Sequence, residues 1–346
     1  MTRTDRKCYN RSVKKTLIAA VAVGAACLSF GATVDLVSAK GVDATAWLDL
    51  ESPGEGALTA TVQAPDGFKA TLLRVVKEPR DPNAFFTDVP GIGNPVPVGV
   101  ALADAAKGAP AKAGESVRFR IVIPVAADAA DGVHKGKVTL SCGGKTSESE
   151  LSLKVLDFAL PPAKTRYSGR AWVSRPDGIP AEWTVETADT YAKHAAEAKD
   201  VVGSLWHCTS DLNAERWRAF GVGYYAALDI PVVVNPDVWR RAAGIRAWQL
   251  GFDGVTLPKD RKVEPIVLAG LEDAAIDVRY ASYAWELSNA LADKAKHASK
   301  VVYEGRMGQF FVDRIRTATD DMDVVRLELQ ARLVRLLAFT RKEASK

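Results

Sequence analysis

Apolar and polar positions alternate in short runs along the first half of the chain. Val117-Arg118-Phe119-Arg120-Ile121 and Lys137-Val138-Thr139-Leu140 repeat with period two, which predicts strands with one buried face. Runs rich in Val, Leu, Ile and Thr at Ala57 to Gln63, Ala70 to Val76, Val117 to Pro124, Gly136 to Cys142 and Glu150 to Leu156 read as five strands. Pro65-Asp66-Gly67, Asp131-Gly132 and Gly143-Gly144 supply turns between them. Short strands punctuated in this way predict an antiparallel β-sandwich over residues 33–160. Residues 78–116, rich in Pro, Gly and Ala, read as long connections. Phe158-Ala159-Leu160-Pro161-Pro162 ends the last strand and marks a domain boundary, because proline stops a ladder and stiffens its exit.

Beyond Pro162 the period changes. Thr187 to Lys199 and Asn213 to Phe220 read as helices. Val201 to Trp206 and Gly221 to Ala226 read as strands, and Pro231 to Asn235 extends or follows the second. From Pro236 a helix is predicted by Val238, Arg241, Ile245 and Trp248, with Trp239 and Trp248 on it as packing groups. Gly251 is placed to end it in the left-handed conformation. Phe252 to Leu257 then reads as a strand, entered through Asp253-Gly254. Such alternation implies parallel β–α units. A helix starting near Pro265 gathers Val267, Leu271, Ala274, Val278, Ala281 and Trp285 on one face. Asp320 and Asp321 cap a last helix whose Val325, Leu329, Leu333 and Leu336 face inward.

Composition changes this picture at the amino terminus. Residues 1–15 carry six basic side chains against Asp5, and residues 16–32 are small and apolar, which reads as a secretory signal peptide over residues 1–32. The apolar run is short for a stable membrane span, which needs about 20 residues. Without those residues the 46 Lys+Arg and 42 Asp+Glu become 40 and 41, so the basic excess belongs to the leader and makes no case for a nucleic-acid partner. Cys8 and Cys27 lie in the leader. The remaining Cys142 and Cys208 are too few for a disulfide scaffold.

Two regions resemble glycoside hydrolase family 123. One comprises Arg118-Phe119-Arg120-Ile121-Val122-Ile123-Pro124, Asp131-Gly132-Val133-His134-Lys135-Gly136 and Leu153-Lys154-Val155-Leu156-Asp157-Phe158-Ala159-Leu160-Pro161. These are similar to the sandwich that precedes that family's barrel, with His134 where tyrosine is usual. The other runs from Arg241, Gly244 and Trp248 through Gly251-Phe252-Asp253-Gly254 to Gly270-Leu271-Glu272-Asp273 and Asp277-Val278-Arg279-Tyr280, and looks like the end of the barrel and the helix after it. The resemblance covers residues 117–161 and 200–340. It implies an N-acetylhexosaminidase-like activity resting on an adjacent Asp-Glu pair. The Asp would orient the substrate's 2-acetamido group, and the Glu would act as general acid and base. No Asp-Glu dipeptide occurs in this chain. Pro162 to Pro258 spans 96 residues, whereas an eightfold barrel takes about 250 and one β–α–β unit roughly 30. The expected fold class is therefore α+β with two domains: the sandwich, then over residues 161–346 an incomplete (β/α) barrel-like domain closed by C-terminal helices. Its open sheet edges require cover from those helices, from the sandwich or from another subunit.

Candidate chemistry is sparse. Trp206-His207 and Tyr224-Tyr225 are expected at the carboxyl ends of parallel strands, where such folds place functional side chains. Read as a binding site, they would stack a sugar ring and reach its hydroxyls. Read plainly, they are strand-end core residues, and of the two tyrosines only one can face the site. Glu182, Glu186, Asp189 and Asp211 are candidate replacement acids; the first three also suit a helix start. Glu272-Asp273 has the reverse order and reads as a solvated first-turn pair, with Arg279 a partner for Asp277 or Glu272. The four histidines are scattered without metal-ligand spacing, and no phosphate loop, dinucleotide fingerprint or nucleophile elbow is present. Neither a cofactor nor a metal is implied. Two functions remain: a secreted, carbohydrate-related protein whose hydrolase activity the missing pair puts in question, or a non-catalytic extracellular module that binds glycan or protein.

Overall fold

The computed structural model describes residues 33–80, 96–166, 225–227, 236–251, 254–256, 264–293, 300–317 and 319–344. Nine strands come first: β1 (Val34–Lys40), β2 (Ala44–Glu51), β3 (Gly56–Gln63), β4 (Thr71–Arg80), β5 (Val96–Asp104), β6 (Ala109–Ala111), β7 (Ser116–Ile123), β8 (Gly132–Cys142) and β9 (Lys145–Ala159). They form two sheets, in the orders β1-β9-β8-β3-β6 and β2-β7-β4-β5. Leu36, Leu58, Val138, Leu140, Leu151 and Leu153 of the first sheet share one core with Leu48, Leu50, Phe119, Ile121 and Ile123 of the second. The period-two runs thus face one another, as the alternation requires.

Two expectations are corrected here. The segment read as long connections holds the end of β4 and all of β5 and β6. Pro97 and Pro110 sit on the edge strands β5 and β6, where a residue without an N–H is tolerated, and Pro79 lies in β4 beyond its pairing with β7. The sandwich is also not purely antiparallel, because β1 pairs parallel with β9. At the other end of β9 the turn is as predicted. Gly143 and Gly144, with φ of 57° and 75°, form the two-residue link between the paired Cys142 and Lys145.

The β1–β9 pairing slips between Ser38 and Lys40. A slip of this kind changes which side chains face which side of a sheet. Before it, Leu151, Leu153 and Val155 feed the sandwich core. After it, Leu156, Phe158 and Leu160 point into a second core made with the helices.

That second core is built by α1 (Pro236–Ala243), α2 (Ile245–Gln249), α3 (Pro265–Ala292), α4 (Lys300–Arg314) and α5 (Met322–Ala344). The single helix expected to carry Trp239 and Trp248 is two, parted at Gly244. A side chain at Gly244 would strike the carbonyl oxygen of Arg240 and crowd Ala274 of α3. Both indoles are buried packing groups, as read. Gly251 follows with φ 81°. Helix α3 is central, and at 28 residues it runs about 42 Å. Its predicted apolar face is buried apart from the partly covered Trp285, but so are Ile266, Ala269, Tyr280 and Ala284 around the cylinder. Asp321 caps α5 by accepting from the N–H groups of Asp323 and Val324. Asp320 instead accepts from the Arg316 N–H before it.

A parallel pair, β10 (Tyr225–Ala227) and β11 (Gly254–Thr256), is the described portion of the β–α alternation. The helices predicted at Thr187 to Lys199 and Asn213 to Phe220, and the strands at Val201 to Trp206 and Pro231 to Asn235, lie outside the described residues.

Candidate functional site

Of the residues expected to line a binding cleft, Trp206, His207 and Tyr224 lie outside the described residues, as do Glu182, Glu186, Asp189, Asp211 and Cys208. Tyr225 is described through its backbone. It lies in β10, aligned with Gly254 of β11 in their parallel pairing.

The acids of α3 are placed differently from their expectation. Asp273 and Asp277 stand one turn apart at the seam between the helices and the sandwich, and they are 2% and 0% exposed. Three arginines from three distant parts of the chain converge on them. Arg120 of β7, itself 1% exposed, donates through Nη1 to Asp273 Oδ2 at 2.8 Å and to the Ala269 carbonyl at 2.9 Å. Its Nη2 reaches Glu272 Oε2 at 3.0 Å. Arg326 of α5 donates to Asp277 Oδ1 at 2.5 Å, to the Asp273 carbonyl at 2.9 Å and to Thr45 Oγ1 at 2.9 Å. Arg240 of α1 donates to Asp277 Oδ2 at 2.6 Å, to Asp323 Oδ1 at 2.5 Å and to the Met322 carbonyl at 3.0 Å. Thr45 and the Trp47 indole, both on β2, donate to the two Asp273 oxygens at 2.6 and 3.1 Å.

Burial alone pushes the Asp273 carboxyl up. The Arg120, Arg326 and Arg240 charges and the Thr45 hydroxyl more than reverse that, holding it well below the usual carboxylate range. For Arg240 burial again opposes the charge, and Asp277 and Asp323 raise the guanidinium above its ordinary value. Each group is thus ionised and spoken for. An acid–base catalyst needs a carboxyl that gains and loses a proton near the working pH, and Asp273 is held far from that condition.

The reading of Glu272-Asp273 as a solvated pair is therefore overturned, because Arg120 binds both carboxylates. Arg279 makes a further tie. It donates to the carbonyls of Pro161, Gly41 and Leu160. Those carbonyls close the sandwich, so Arg279 ties its exit to α3. Tyr280 adds to this tie by accepting from the Ala39 N–H at 2.9 Å.

Sequence reasoning missed the network. Arg118 and Arg120 alternate with Phe119 and Ile121, and so read as the wet face of a strand. The available signal was on α3, where Asp277 interrupts, and Asp273 directly precedes, an otherwise apolar run from Ala274 to Val278. Acids set into such a run need buried cations. Among the described residues no group of three or more His, Cys, Asp or Glu side chains is placed to hold a metal ion. None of the described helices is long and apolar enough to cross a membrane.

No family model matches the chain, and no curated protein matches it by sequence. Among solved structures it is similar to a family 123 glycoside hydrolase from Clostridium perfringens that acts on glycolipid glycans. The TM-score is 0.51 at 9% identity, covering 91% of this chain and 95% of that one. The fold is glycoside-hydrolase-123-like. The likeness to a putative alpha-galactosidase from Bacteroides fragilis is far lower, with a TM-score of 0.22 at 10% identity over 77% of this chain and 49% of that one. It carries no argument.

Proposed function

We propose that this chain is an exported, carbohydrate-related protein that recognises a glycan without hydrolysing it. The observation that carries the reading is the combination of a family 123-like fold with a sequence that has no Asp-Glu dipeptide. The buried state of Asp273 and Asp277 supports it, since Asp273 of the reversed Glu272-Asp273 pair and Asp277 one turn on are committed to arginines. Export rests on the basic head and apolar run of residues 1–32. The short interval between Pro162 and Pro258 fits an incomplete barrel, whose parallel strands gather loops at their carboxyl ends. Trp206 and His207 are assigned to that edge as glycan contacts, with Tyr224 or Tyr225 beside them.

The test is a glycan array together with turnover of aryl N-acetylhexosaminides, both on the purified chain without its leader. Binding without turnover is expected, and Trp206→Ala should weaken it about tenfold while the melting temperature holds, since one stacked aromatic is worth roughly 1 kcal/mol or more. Turnover that disappears in Glu186→Gln or Asp211→Asn would establish a hydrolase with relocated acids. Binding to a protein partner and to no glycan would replace carbohydrate with the protein-binding alternative.

A further inference from the structure

Helix α4 has two unlike faces. Glu304, Gly305, Gly308 and Val312 are buried. The fit is close enough that a side chain at Gly305 would strike the backbone of Ser288 and Ala292 on α3. The opposite face carries Tyr303 and Phe310, which are 58% and 50% exposed. Seven residues separate them, so the rings lie two turns apart along one stripe, about 10.5 Å.

Cations fill the space around the rings. Arg306 is exposed between them, Lys300 is exposed one turn before, and the Arg314 guanidinium lies over the Phe310 ring at 4.9 Å. Asp313 is already ion-paired with Arg166, and Glu304 is buried against Arg335. No uncommitted acid on α4 therefore offsets the three cations. A partner helix with an apolar seam would have to desolvate Arg306 between the two rings and leave it unpaired, which is unfavourable for a buried ion. An acidic polysaccharide meets both demands. The C–H faces of its sugars suit the aromatic rings, and its carboxylates or sulfates suit the guanidinium fork.

We propose that the outward face of α4 binds an acidic polysaccharide through Tyr303, Arg306, Phe310 and Arg314. The choice of a glycan over another polyanion rests on the carbohydrate reading above. The juxtaposition of solvent-facing rings and unopposed cations does not.

Calorimetric titration of the purified chain would use three probes: polygalacturonate, neutral dextran and a single-stranded oligonucleotide of matched charge. Polygalacturonate should bind, more weakly as salt rises, and dextran should not bind here. Arg306→Gln, Arg314→Gln, Tyr303→Ala and Phe310→Ala should each weaken binding about tenfold, with unchanged circular dichroism because all four side chains are exposed. Undiminished binding in those variants would place the site elsewhere and overturn the proposal. Oligonucleotide binding as tight as polygalacturonate would show charge without sugar recognition and overturn it too. A chain that binds neutral glycans on the array but not polygalacturonate loses this face and keeps its glycan reading. A chain that binds none of them loses both.

Discussion

Asp273 is the residue on which the largest single effects should fall. Its carboxylate accepts from Arg120, Thr45 and Trp47 in a site closed to water. Removing one member of a buried charge pair leaves the other unpaired, which costs about 3–5 kcal/mol. Asp273→Asn should therefore lower the urea midpoint sharply, and Arg120→Met combined with Asp273→Leu should recover part of the loss. The pH dependence has a definite sign. The folded carboxyl is depressed below its unfolded value, so its contribution is complete above that unfolded value of about 3.9 and is lost as the pH falls through the folded one. Unfolding measured from pH 8 down to pH 3 should give a constant gap between wild type and Asp273→Asn until about pH 5. The gap should narrow only below about pH 4. A gap that closes between pH 7 and 6 would place the effect on another group.

At the scale of elements, α3 and its neighbours are held by close backbone approach as much as by side chains. A Cβ at Gly270 would strike the carbonyl oxygen, Cα and carbonyl carbon of Pro236 at the start of α1. These are backbone atoms that no rotamer change can move. Gly270→Ala should thus destabilise the chain by about 1–3 kcal/mol, the usual range for overpacking a tight site, although alanine is the better helix former on an exposed surface. Differential scanning calorimetry decides between the two effects, and a raised melting temperature would mean that α1 can shift. The β1–β9 pair makes a related point. Its slip between Ser38 and Lys40 divides one long strand, β9, between two cores.

For the whole molecule, the junction makes sandwich and helices one mechanical unit among the described residues. Ala39, Val42, Leu156, Phe158 and Leu160 share a core with Trp239, Trp248, Leu271 and Leu333. The arginine–aspartate network crosses the same seam. Unfolding should therefore be a single transition. Tryptophan fluorescence, which reports Trp47 at the seam and the buried Trp239 and Trp248, should trace the same urea curve as far-UV circular dichroism. Separate midpoints would show that the network adds orientation without cooperativity. A second expectation follows for residues 33–160 expressed alone. That piece would expose Leu156, Phe158 and Leu160 and leave Arg120 without its carboxylates, so it should aggregate or unfold at lower urea than the full chain.

Much of the architecture was legible in the linear pattern because it depends on local period. Strict alternation marked β7 and β8, runs rich in Val, Leu, Ile and Thr marked β3, β4 and β9, and the Gly143-Gly144 turn followed from two adjacent residues able to take positive φ. The four-and-three spacing from Val267 onward marked α3, and Asp321 announced α5 by capping it. What escaped depends on partners distant in sequence. Strands β5 and β6 lie in a proline-rich stretch whose strand character comes from pairing with β4 and β3. The parallel union of β1 with β9 joins segments more than a hundred residues apart. Above all, Arg120, Arg240 and Arg326 carry no local sign that they are buried. A charge at a polar position of a strand or helix faces water unless another element brings an opposite charge to it. Here Asp273 and Asp277 do so, and only the packing of α3 against β7, α1 and α5 decides that these acids hold the molecule together.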